Sequence, residues 1–195
     1  MNSFSPFVPK KSKRLLQYWI DEINVKIEIS NPRKTKLGDF KFIDNHMKIT
    51  INNNLNKYSF LITLVHELAH AFVFEKYKNN VSPHGKHWRL MFRSLMLNFL
   101  TPDYFPEDIL KVLSKHMISP KASTFTDLNL VKILKQYDKS PSFTISDLSI
   151  GDSFRIDSGK VFLKGETSRK RIRCIECTTK KIYSFHPFTE IIKLQ

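Results

Sequence analysis

Two histidines four residues apart, with a glutamate beside the first, stand in His66-Glu67-Leu68-Ala69-His70. On an α-helix, residues four apart share a face with roughly 6 Å between Cβ atoms, so both imidazoles can reach one divalent ion. Glu67 lies about 100° further round. It cannot bind in the same plane, but it can hold a water on that ion. The pattern H-E-x-x-H is that of zinc-hydrolase helices. Between Ser59 and Phe74 these three are the only ionisable side chains, and the residues around them are apolar nearly all round. That composition predicts a buried central helix. An unpartnered polar group buried there costs several kcal/mol, roughly 2–7, and a metal ion supplies the missing partner.

A catalytic zinc has three protein ligands and keeps one position open. The metzincin extension needs a glycine three residues after the second histidine and a further histidine three beyond that. Val73 and Lys76 stand there, which excludes it. A downstream Glu ligand also fails, because no Glu occurs between Lys76 and Pro106. His84 and His87 remain, in Pro83-His84-Gly85-Lys86-His87-Trp88. His84 is favoured: it falls at a loop-to-helix junction where Gly85 lets the backbone come close. His87 would sit one turn into the next helix.

The elements that must position these groups can be traced from the N-terminus. Leu15 to Ile23 has helical spacing, and Val25 to Ile29 alternates as a half-buried strand. Lys34 to Phe40 is expected to be a second strand with an irregularity at Gly38, and Met47 to Ile51 a third. Asn56 is a suitable cap for the motif helix. Trp88, Met91, Phe92, Leu95, Met96 and Phe99 mark the core side of a following helix, and Pro106 opens a shorter one through Met117. The fold class expected is α+β, a small three-stranded sheet beside a buried metal-binding helix and its successor.

Residues 121–149 turn polar, with Pro120 just before them and Pro141 within, and are expected to be a tether with a short helix around Leu128 to Leu134. From residue 150 the pattern is strand-like, with turns at Asp157-Ser158-Gly159 and Thr178 to Lys181. Residues 151–195 hold ten Lys or Arg against five Asp or Glu. Arg169, Lys170, Arg171 and Arg173 read as one basic strand with Tyr183 and Phe185 nearby. Basic residues interleaved with aromatics suit single-stranded nucleic acid or a phosphate backbone; a solvated edge protected by cations is the simpler alternative. The domains expected are 1–120, a linker over 121–149, and a basic β module over 150–195.

The chain has 195 residues and a net charge of +14, which suggests a polyanionic partner, nucleic acid foremost. Cys174 and Cys177 are its only cysteines, so there is no disulfide framework and a reducing cytoplasm is expected. The apolar run is broken by His66, Glu67 and His70, so no membrane span is expected.

The paired motifs, His66 to His70 and then Pro83 to Trp88, resemble the SprT-like metalloprotease family, whose pattern is H-E-x-x-H followed about a dozen residues later by H-G-x-x-[F/W]. The similarity covers approximately Thr35 to Phe99. It implies a zincin-like SprT domain holding one Zn²⁺ on His66, His70 and His84, with Glu67 as catalytic acid/base. It also implies protein substrates held on DNA. His87, where relatives commonly carry another residue, and Tyr77 are candidates for contacting substrate. Many SprT-like proteins end in a zinc ribbon with two Cys pairs. This chain has one pair, so a metal-free basic β module is expected in its place. The competing expectation is a non-catalytic, zinc-containing binding protein associated with nucleic acid or transcription.

Overall fold

The computed structural model describes residues 4–33, 35–123, 126–140 and 142–194, so Lys34 of the expected second strand and Pro141 of the expected tether lie outside the described residues. The chain divides into two compact units, Met1–Lys139 and Ser140–Gln195.

In the first unit, helix α1 (Lys13–Glu22) leads into strand β1 (Val25–Ser30), then β2 (Gly38–Ile43) and β3 (His46–Asn52). The strand order is β1-β3-β2, with β1 parallel and β2 antiparallel to the central strand. β2 begins at Gly38 and runs to Ile43, four residues later than the sequence suggests. Pairing with β3 decides this, because it places Phe40 opposite Ile49 and Phe42 opposite Met47 on the inner face. There both phenyl rings pack on Phe74 of the motif helix, with centroids 5.6 and 4.8 Å away.

That helix, α2 (Lys57–Tyr77), is buried on all sides along most of its length. The Asn56 side chain caps it by accepting from the Tyr58 and Ser59 amides at 3.1 and 3.0 Å. Helices α3 (Lys86–Leu97), α4 (Glu107–Ile118) and α5 (Leu128–Lys135) complete the unit. Trp88, Phe92, Leu95 and Met96 of α3 are buried, as the sequence pattern predicts.

The short helix expected around Leu128 to Leu134 is present as α5, but the stretch expected as a tether is packed into the units rather than a loose connection. α5 buries Leu130, Val131 and Leu134, and the Asn56 amide ties it down by donating to the Leu134 carbonyl at 2.9 Å and to Asp138 at 2.6 Å. Asp127 caps α5 through the Leu130 amide at 3.2 Å and holds the buried His116 at 2.9 Å. Partial burial opposes the Asp127 carboxylate, but the His116 and Leu130 hydrogen bonds outweigh it and hold its pKa below the ordinary value. That stabilisation is present at neutral pH and fades as the pH falls through the carboxylate range. Further along, Ile145 and Leu148 belong to the core of the second unit. Polar composition hid these few anchoring side chains.

The second unit is a five-stranded antiparallel sheet in the order β7-β6-β5-β4-β8. Its strands are β4 (Ser153–Arg155), β5 (Val161–Ser168), β6 (Arg171–Glu176), β7 (Ile182–Phe185) and β8 (Ile192–Lys193). Phe154, Phe162, Ile172 and Cys174 form its core with Ile145, Leu148 and Ile191. The four basic residues do not share a strand: Arg169 and Lys170 make the turn between β5 and β6, and Arg171 and Arg173 lie on β6. Nor do they interleave with the aromatics. Tyr183 pairs with buried Cys174 and Phe185 with buried Ile172, whereas Arg173 pairs with Ser184 on the opposite face. Among the described residues no helix is long and apolar enough to cross a membrane.

Candidate metal centre

The three histidines are brought together by two backbone devices. α2 sets His66 and His70 on one face. The turn before α3 swings His84 back toward them, and His84 itself adopts the left-handed conformation, φ +57°, which histidine tolerates better than most residues. Gly85 permits the close backbone approach expected of it: its φ is an ordinary −71°, but a Cβ there would meet the Ser82 carbonyl at 2.9 Å. The tight turn is closed by the Gly85 amide donating to that carbonyl at 3.0 Å.

The outcome is convergence. Nε2 of His84 lies 3.2 Å from Nε2 of His66 and 2.9 Å from Nε2 of His70, and one nitrogen from each ring lies within 4.8 Å of the others. Tetrahedral zinc with Zn–N bonds of about 2.0–2.1 Å separates its ligand nitrogens by roughly 3.3 Å. The two His84 distances lie near that spacing, and the set as a whole is compact enough to share one ion. Burial, and then the neighbouring rings, push His66 down to about 2 and His70 to about 4, and burial lowers His84. All three are therefore neutral imidazoles at pH 7, the form that binds metal. Trp88, fully buried, backs all three rings, with centroids 4.6 Å from His66, 5.3 Å from His70 and 4.7 Å from His84.

Glu67 faces the same cleft, which has a volume of about 500 Å³ and is walled by Thr35–Phe40, α2, Lys78–His84 and Ala122–Ser123. Burial first, and then the charge of Asp39, raises its carboxyl to about 8, while a hydrogen bond from the Phe40 backbone works the other way. Gly38 makes room for it. A Cβ on Gly38 would lie 2.8 Å from Cγ and Oε1 of Glu67 and 2.7 Å from Cγ2 of Thr63. The sequence marks Gly38 as an irregularity in a strand; that it faces the motif glutamate is visible only in the pairing of β2 with β3 and the packing of both on α2.

Tyr77 and His87 are placed elsewhere. Their rings pack against each other, tilted by 43° with centroids 4.4 Å apart, and neither lines the cleft. His87 is the second residue of α3, not one turn in as expected, and Trp88 beside it takes the inward position. Arg169, Lys170, Arg171 and Arg173 lie in the second unit.

A protein-family model for the SprT-like family matches residues 10–109. No curated protein and no solved structure matches the chain. The matched span holds His66, Glu67, His70, His84 and Gly38, and ends near the start of α4. It covers more than half of the 195 residues, and the chain belongs to the SprT-like family.

Proposed function

We propose that the chain is a zinc-dependent metallopeptidase with a zincin-like first unit, acting in the cytoplasm on proteins associated with DNA. One observation carries this reading: three imidazole nitrogens converge beside a buried carboxylate in an open cleft. His66, His70 and His84 would hold the ion. When bound, zinc would supply Lewis acidity toward a scissile carbonyl and lower the pKa of a water to about 7. Burial alone favours the neutral carboxyl of Glu67, and the charge of a bound ion would favour its ionised form; in that form Glu67 would take the proton from the attacking water and return it to the leaving amine. The Phe40 backbone and the space left by Gly38 fix the carboxylate on the cleft wall. A purely structural zinc would want four closed ligands; among the described residues the group holds three and opens onto the cleft.

Gly38→Ala tests the positioning of Glu67. The added methyl must displace a group that reacts only when correctly placed, and a misplacement of about 1 Å can cost on the order of 10²-fold in rate. Turnover should fall about 10- to 100-fold with zinc content unchanged. Pairing it with Glu67→Asp, which withdraws the carboxylate by one methylene, should make the Gly38→Ala loss smaller than it is alone. A Gly38→Ala protein as active as wild type would show that the contact is immaterial.

The nucleic-acid part of the proposal rests on the +14 charge. Zinc-loaded protein should cleave casein or histone. DNA should accelerate the cleavage at low ionic strength, and about 0.5 M salt should remove the acceleration, since binding to phosphates weakens steeply with salt. Equal rates with and without DNA at low salt would remove DNA from the reading. Absence of cleavage under every condition would remove the peptidase.

A further inference from the structure

The strongest unassigned charge cluster lies at one end of the second unit. Arg171 and Arg173 alternate along β6 with buried Ile172 and Cys174, so both point to the outer face. Arg169 and Lys170 form the two-residue turn that joins β5 to β6. With Ser168 and Ser184 these four cations line a concavity of about 550 Å³. Arg171 is held in place: Nη2 donates to the Ser184 carbonyl at 2.8 Å, and Nε reaches that carbonyl at 3.3 Å and the Ser184 hydroxyl at 3.2 Å. The Ser184 hydroxyl accepts there and keeps its own hydrogen to donate outward.

Among the described residues, no carboxylate lies within ion-pair distance of any of the four. Glu176 is engaged by Lys160 at 3.0 Å and Asp152 by Lys193 at 4.0 Å. The turn itself does not depend on its first side chain. Arg169 has φ +56° at the first position of its turn, where glycine is the usual residue. The fold gains nothing from arginine there, since the backbone would be more relaxed without it.

We infer that this hairpin end binds the sugar-phosphate backbone of duplex nucleic acid, with Arg169, Lys170, Arg171 and Arg173 neutralising neighbouring phosphates and the Ser184 hydroxyl adding a donor. It reads no bases. The outward positions of β6 and β7 are Arg171, Arg173, Ile175, Ile182 and Ser184, none of them aromatic. Tyr183 and Phe185 pack inward on Phe162, with centroids 5.4 and 4.9 Å away. Single strands are held by aromatic platforms on which bases stack. Duplex DNA instead offers one charge per about 1.7 Å of axis to a set of cations. The inference deepens the nucleic-acid part of the proposed function and is independent of its peptidase chemistry.

The test uses the full chain carrying Glu67→Gln, so that cleavage does not interfere, and a fluorescent 20-bp duplex titrated across a range of salt. Arg169→Gly should leave the Tm unchanged or raised while weakening binding severalfold. Arg169→Gly with Lys170→Gly and Arg173→Ala should weaken it at least tenfold and lower the slope of log K against log salt by about 2.7, three phosphate contacts at about 0.9 each. Lys111→Ala with Lys115→Ala, which removes exposed charge from α4, should have a small effect. Any of three results would overturn the inference: a loss from the α4 variant as large as that from the hairpin variant, a single strand of equal phosphate number bound tenfold tighter than duplex, or poly-glutamate bound by wild type but not by the hairpin variant.

Discussion

Glu67→Gln should keep its zinc and its fold and lose turnover by about 10²- to 10⁴-fold, the range expected when a positioned general base is removed. The substitution is nearly isosteric. Burial already raises the Glu67 carboxyl to about 8, so its pocket accommodates a neutral group, and a carboxamide oxygen can still accept from the Phe40 backbone. What the amide cannot do is take a proton from water and return it. The three imidazoles that would hold the ion are untouched, because their mutual distances are set by α2 and by the His84 turn. Metal analysis, thermal melting and cleavage of casein, all on one preparation, check the three parts together. If the variant cleaves as fast as wild type, Glu67 is not the base and the proposed mechanism fails.

The parts of this molecule legible in its sequence are those governed by local rules. α2 could be read because its apolar residues run nearly all round and Asn56 stands at its start. His66 and His70 could be paired because helical geometry alone fixes their spacing. His84 is accessible by elimination, and the glycine after it allows the close backbone approach expected there, to the Ser82 carbonyl; that the histidine itself is left-handed is visible only in the structure. What was not legible depends on partners distant in the chain. The register of β2 comes from packing Phe40 and Phe42 on Phe74, a helix away. The role of Gly38 follows from that register. The polar stretch over 121–149 carries few apolar residues, yet Leu130, Leu134, Ile145 and Leu148 suffice to seat it in two separate cores. In the second unit, nearness in sequence suggested that the arginines and aromatics interleave, while the period-two alternation of β6 and β7 sends them to opposite faces.

His84→Ala should empty the metal site, and His87→Ala should not. The two residues are three apart in the chain, and both were open as the third ligand. The structure separates them: Nε2 of His84 lies 2.9 and 3.2 Å from its counterparts on α2, whereas the His87 ring packs against Tyr77 outside the cleft. Losing one of three protein ligands should weaken zinc binding by at least about 100-fold, beyond the 10- to 100-fold that removal of a supporting residue costs. One complication follows from the backbone. At φ +57° an alanine is strained, so a misfolded turn could mimic a lost ligand. His84→Asn avoids this, because asparagine tolerates the left-handed region and yet lacks the imidazole nitrogen. Loss of zinc in both His84 variants, with α2 and the core intact by thermal melting, assigns the ligand to the imidazole itself. Full zinc occupancy in His84→Asn, or an empty site in His87→Ala, would place the third ligand elsewhere and remove the basis for the peptidase.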